Sequence, residues 1–154
     1  ADLLAFTRRL IGLARRHPVF RRRRWFQGQP LHAGGSPDLG WFSAAGQAMS
    51  DQDWVSGAAK TLAVYLNGHG IHERDPRGRR VVDRDFYLMF NADAAPAGFT
   101  LPSILAAARW ERVLDTACER MPARVQFQAG QQVQVEARAL VVLAGVRRRG
   151  LNKD

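Results

Sequence analysis

Hydrophobic positions near the start of the chain fall on a single stripe. In LLAFTRRLIGLARR, Leu3, Phe6, Leu10 and Leu13 recur at steps of three and four, and Leu4, Ile11 and Ala14 widen the band. This spacing predicts an amphipathic helix over 2–16, capped by Asp2 and stopped by Pro18 after His17. Arg8, Arg9, Arg15 and Arg16 then take mostly the wet side. A band this wide needs a substantial apolar partner.

Between 18 and 60 the rhythm is lost. FRRRRWFQG has room for a short extended piece, and GGSPD is a turn signal. Ser50 followed by Asp53 is a weaker variant of the capping box and predicts a helical turn over 51–55. An irregular stretch of this length inside a domain usually has a job or a partner. After Lys60 the period shortens. TLAVYLNG (61–68), DFYLMFNA (85–92), GFTLP (98–102), RWERVLDT (109–116), RVQF (124–127), QVQVEA (132–137) and ALVVLAG (139–145) read as strands separated by turns rich in Gly, Asp, Asn and Pro. Alternation is clear at Val133 and Val135 and from Trp110 to Leu114, whereas LVVLAG reads as a buried strand. The prediction is a mainly β fold, an antiparallel β-sandwich over 61–145, preceded by the helix and an irregular arm and followed by a basic tail at 146–154.

Composition narrows the classes. With 154 residues and 46% hydrophobic content the chain is globular, and it suits one domain or a domain with a piece of another. It is too short for a catalytic (β/α)8 barrel, which takes about 250 residues. The net charge of +9 comes almost wholly from arginine, since Lys60 and Lys153 are the only lysines. That charge raises a nucleic-acid reading, with Trp25 and Phe26 beside the Arg21–Arg24 cluster. No helix-turn-helix, zinc finger or RNA-binding signature supports it. Cys118 is the sole cysteine, so no internal disulfide can form and a reduced, cytoplasmic setting fits. No run of about 18 apolar residues predicts a membrane span.

Candidate chemistry is sparse. His69 and His72 beside Glu73 could offer metal ligands, but no Cys/His set or His-Glu-x-x-His helix completes them. Cys118 in DTACERMP lacks an identifiable base, and there is no nucleophile elbow or phosphate loop. Asp83 and Asp85, two apart on RRVVDRDF, could be near neighbours like a glycosidase pair; pairing with Arg80 and Arg84 is the plainer reading. No cofactor is called for. Four tryptophans are many for this length. Trp110 reads as core, while Trp41 and Trp54 sit in the irregular segment, where an exposed indole could stack on a sugar.

LIGLARRHPVFRRRRWFQG, DLGWFSAAGQAMSDQDW, LAVYLNG, DFYLMFNA, FTLP and RWERVLDT occur in an order that resembles the C-terminal part of bacterial isoamylase-type glycogen debranching enzymes, members of the α-amylase superfamily of glycoside hydrolases. The resemblance runs over about 3–145. It implies that 1–17 is the last helix of a (β/α)8 barrel, 18–60 the arm leaving it, and 61–145 the closing sandwich. It implies retaining hydrolysis of α-1,6 branch linkages in glycogen or limit dextrin by the parent enzyme. The catalytic carboxylates of that family lie upstream of this helix, so no catalytic residue is carried onto the chain. Asp38, Trp41, Asp53 and Trp54 match the arm motif, which implies a hold on the barrel or a glucan contact. Two other readings stay open: a free-standing carbohydrate-binding or interaction module, and a basic nucleic-acid binder. Without a barrel, the apolar stripe predicts self-association or a loosely attached helix.

Overall fold

A computed structural model of the chain describes residues 3–28, 37–57, 59–105, 107, 109–118 and 125–146. Its strands are β1 (Leu39–Phe42), β2 (Thr61–Leu66), β3 (Phe86–Asn91), β4 (Ala97–Thr100), β5 (Arg109–Asp115), β6 (Gln126–Gln128), β7 (Gln132–Val135) and β8 (Ala139–Val146). Six of them form one sheet in the order β1-β2-β3-β8-β5-β6, and β4 pairs with β7 as a separate ribbon. Every pairing is antiparallel. The fold is the expected mainly β, sandwich-like one, with each of the seven segments read as strands in place.

Period-two geometry sends alternate side chains to opposite faces, and in this sheet both sets are apolar. On the inner face, Tyr65, Tyr87, Met89, Trp110, Val141 and Leu143 pack with Phe99, Val133 and Val135 of the β4–β7 ribbon. On the outer face, Val64, Leu66, Phe86, Val142 and Ala144 form a second cluster with Val19 and Ile71. Two-sided burial explains why Ala139–Val146 reads as a continuous apolar run and not as an alternation.

Polar groups hold the layers in register. Asn91, at the end of β3, is buried; its amide donates to the carbonyls of Ala95, Val135 and Glu136 at 2.9, 3.2 and 3.0 Å. Its side-chain oxygen accepts from Asp93 N at 3.0 Å. One side chain thereby closes the turn after β3 and anchors the end of β7. Gly68 lies so close to the carbonyls of Asp83 and Arg84 that a Cβ there would collide with both, while its N–H donates to buried Asp85 at 2.9 Å.

The amphipathic helix forms as α1 (Leu3–Arg16). Its stripe is split. Phe6 and Leu13 pack against the outer cluster of the sheet, while Leu3, Leu4, Leu10 and Ile11 are 75%, 55%, 36% and 48% exposed. The end of α1 is closed by Arg21, whose guanidinium donates to the carbonyls of Ala14 and Arg15 at 3.0 and 2.9 Å. A 3-10 turn (Pro18–Arg21) follows and takes the first two residues of FRRRRWFQG, after which Arg22 is extended. Asp83 fixes this turn to the sheet: His17 Nδ1 lies 2.8 Å from one carboxylate oxygen, and Val19 N donates to the other at 3.1 Å. Asp83 is therefore spent on α1 and its turn rather than on Arg80, and the side chain of Arg84 instead reaches Glu111 at 3.1 Å.

The largest departure from the sequence reading is β1. It sits inside the stretch that reads as irregular, yet Trp41 opposes Val64 and Phe42 opposes Ala63 in register with β2. Four residues with apolar side chains on both faces carry no visible period, so only the pairing defines the strand. The Asp2 cap, His32, residues 34–36 of the GGSPD turn and Arg147–Arg149 with the rest of the tail lie outside the described residues.

Phe99 is fully buried between the two sheets, whereas Ile104 is 77% exposed. Phe99→Ala is expected to cost about 3–5 kcal/mol in urea unfolding, by lost burial plus cavity, and Ile104→Ala less than about 0.5 kcal/mol.

Candidate functional site

The arm residues singled out by sequence divide into two groups. The first is built on Asp38, just before β1. Its carboxylate is 1% exposed and accepts from Gln27 N at 3.1 Å, from Gly28 N at 2.9 Å and from the Arg22 guanidinium at 3.2 Å. Arg22 also donates to the carbonyl of Gly70 and lies 4.2 Å from the centroid of the Phe26 ring. The backbone carbonyl of Asp38 accepts from Asn67 N at 3.0 Å. Gly70 is packed against Asp38 so closely that a Cβ there would strike it. Segment 22–28 is thereby strapped to the β2–β3 loop, and Phe26 joins the outer cluster. A carboxylate with this many donors is satisfied internally.

The second group is the hairpin and short helix after β1. Ser43 N donates to Gln47 O at 2.8 Å and Met49 N to Trp41 O at 2.9 Å, turning the chain back on itself. Ser50 then opens helix α2 (Asp51–Val55) through a complete capping box, Asp53 N donating to Ser50 Oγ and Ser50 N to the Asp53 carboxylate. The expected helical turn and its cap are both present. The turn sets Trp54 against Trp41, edge to face, with ring centroids 5.3 Å apart and planes at 82°. The indoles remain 39% and 51% exposed. Asp53 holds this arrangement from below; the Ser50 backbone N–H, and then its hydroxyl, keep its carboxyl below the usual 3.8.

Trp41 and Trp54 thus meet, while Asp38 and Asp53 serve separate anchoring jobs. The sequence reading missed Arg22, Phe26 and Gly70 as the partners of Asp38. Arg22 stands in a run of four arginines, and nothing local sets it apart from Arg23 or Arg24. The run is not a uniform basic patch, since Arg21 caps α1 and Arg22 is buried on Asp38.

The other candidate chemistry stays dispersed. Among the described residues no group of three or more His, Cys, Asp or Glu side chains is placed to hold a metal ion. Cys118 donates to Asp115 at 3.5 Å; burial and then the Asp115 charge push its thiol up, away from a reactive thiolate. No helix among the described residues is long and apolar enough to cross a membrane.

The family model described as "Isoamylase, C-terminal" matches residues 38–148, from the Asp38 anchor through the sandwich. The chain belongs to this family. Proteins named "Glycogen operon protein GlgX homolog" from Mycobacterium bovis and from two strains of Mycobacterium tuberculosis are 40% identical to it over 144 residues. That alignment covers 93% of this chain and 20% of each relative, so the chain spans about a fifth of their length. A crystal structure of a MUTB mutant soaked with trehalulose overlaps 56% of this chain and 12% of its own, at 17% identity and a TM-score of 0.34. That likeness is too low to bear on fold or function. The family's segment holds the sandwich and the tryptophan pair, while α1 and residues 22–28 lie ahead of it.

Asp38→Asn leaves the buried Arg22 without its counter-charge and is expected to cost about 3 kcal/mol in urea unfolding, with faster amide exchange across 22–28. Asp53 has a folded pKa below its unfolded one, so its contribution is present above the unfolded value and lost as pH falls through the folded one. The Trp54 indole resonance is therefore expected to titrate with a midpoint below the ordinary 3.8; Asp53→Asn should abolish that transition.

Proposed function

We propose that this chain is the non-catalytic C-terminal portion of a glycogen-debranching glycoside hydrolase, one that cleaves α-1,6-glucosidic branch linkages in glycogen or limit dextrin. The observation that carries the reading is membership of the isoamylase C-terminal family in a chain that spans 20% of the GlgX homologs. The described residues build a sandwich and no (β/α)8 barrel. On this reading hydrolysis belongs to a barrel elsewhere in the whole protein and proceeds with retention through a glycosyl-enzyme intermediate. Branched α-glucan is then the partner of the parent enzyme, and the cytoplasm, where glycogen would be met, is its compartment.

The same reading divides the chain into the last barrel helix (1–17), the connecting arm (18–60), the sandwich (61–145) and a basic tail (146–154), with β1 of the arm lent to the sandwich's sheet. The split stripe of α1 supports it. Phe6 and Leu13 face the sheet, and the exposed Leu3, Leu4, Leu10 and Ile11 offer the remaining apolar surface to a second body. In the isolated chain that surface drives self-association or leaves α1 loosely held.

The test uses the chain alone and a chimera in which it replaces the matching region of a mycobacterial GlgX homolog. The chain alone is expected to release nothing from limit dextrin and to exchange its α1 amides quickly or self-associate. The chimera is expected to hydrolyse limit dextrin and to slow exchange at Leu10 and Ile11 about tenfold or more. Hydrolysis by the chain that survives further purification, or a monomer with α1 already firmly docked, would overturn the reading.

A further inference from the structure

The segment between β1 and β2 builds a surface that the core does not use. Register with β2 fixes Trp41, the Ser43–Gln47 hairpin turns the chain back, and the capping box aims α2 so that Trp54 lands on Trp41. Two large apolar side chains brought together in this way would ordinarily be buried. Here both stay open, at 39% and 51% exposure. From the pair, a partly open apolar strip continues over the outer face of the sheet through Leu62, Leu88 and Phe90, the last 39% exposed.

We propose that Trp41 and Trp54 form a stacking platform for α-glucan chains. The proposal rests on reading this chain as part of a glucan-acting protein, and it names where on the sandwich a glucan sits. Pyranose rings present apolar C–H faces with hydroxyls around the edge. An indole matches such a face, and a second indole at 82° to the first makes a corner that holds a ring on two sides. On the same short helix, Asp51 and Gln52 are exposed polar residues. Among the described residues no cation stacks on either indole, which suits a neutral ligand better than a phosphate or nucleic acid. The hairpin and the cap pre-set both rings, so little ordering cost falls on binding. Two aromatic contacts hold one short oligosaccharide only at about millimolar Kd. A branched polymer with many chain ends gains by avidity.

The experiment is co-sedimentation of the full chain with glycogen, joined to an NMR titration of the Trp indole resonances with maltoheptaose. Trp54→Ala is the principal variant, because Trp54 is exposed on a short helix and its loss leaves the core intact. Trp25→Ala is the control, since Trp25 is 93% exposed and stands apart from the pair. Expected are a fall in glycogen binding of about fivefold or more for Trp54→Ala, no change for Trp25→Ala, and little loss between about 50 and about 500 mM salt. Maltoheptaose should move the Trp41 and Trp54 resonances and leave buried Trp110 in place. Absence of glycogen binding by the unaltered chain, equal binding by Trp54→Ala, or binding that salt removes would each overturn the platform, the last by tracing the contact to arginines. If the chimera hydrolyses limit dextrin while the chain binds no glycogen, the platform fails and the domain reading stands. An inactive chimera with tryptophan-dependent binding gives the reverse.

Discussion

A six-stranded sheet with two apolar faces is the constraint from which the rest of this structure follows. Tyr65, Tyr87, Met89 and Leu143 point one way, and Val64, Leu66, Phe86 and Val142 the other. Water cannot be left against either set, because each exposed side chain of this size forfeits about 1.5–3 kcal/mol of burial. The inner face is closed from within the sandwich by the β4–β7 ribbon. The outer face is covered in part from the N-terminal side, by Val19, Phe20 and Phe26 and by one stripe of α1, and stays partly open at Leu62, Leu88 and Phe90. The sandwich thus depends on residues that lie ahead of the family's matched segment, and the helix and strap are parts of the same packing problem.

Covering the outer face requires the chain to be pinned there, and the pins are carboxylates. Asp38 holds segment 22–28, Asp83 holds α1 and its turn, and Asp85 holds the β2–β3 loop at Gly68. Each accepts from backbone N–H groups that would otherwise be left unpaired at the surface of an apolar layer. Such a bond adds little in net terms, yet its loss leaves a buried donor unsatisfied at a cost of about 1–3 kcal/mol. Acidic residues that in a bare sequence resemble acid/base candidates are here consumed by architecture.

What the architecture leaves open is apolar and basic. The far side of α1 presents Leu3, Leu4, Leu10 and Ile11, and the hairpin after β1 presents two tryptophans at right angles. These surfaces differ in kind. The helix face is a stripe fitted to another packed layer, while the indole corner is the size of one ring and is rigidly held. The difference in shape is the reason for assigning a protein layer to one and a sugar chain to the other.

Much of the fold was legible in the sequence wherever the signal is local. The helix follows from a spacing of three and four, the α2 cap from Ser50 and Asp53 three residues apart, and seven strands from short apolar runs between turn residues. Resemblance singled out Asp38, Trp41, Asp53 and Trp54. β1 stayed invisible because a four-residue strand exists only through its pairing with β2. Arg22 could not be told from its neighbours because its distinction is a partner 16 residues away. The contact between Trp41 and Trp54, and the split of the α1 stripe into a covered and an open half, were likewise settled by tertiary structure. Periodicity records which way a side chain points within its own element; what it meets there is set by register and packing between elements distant along the chain.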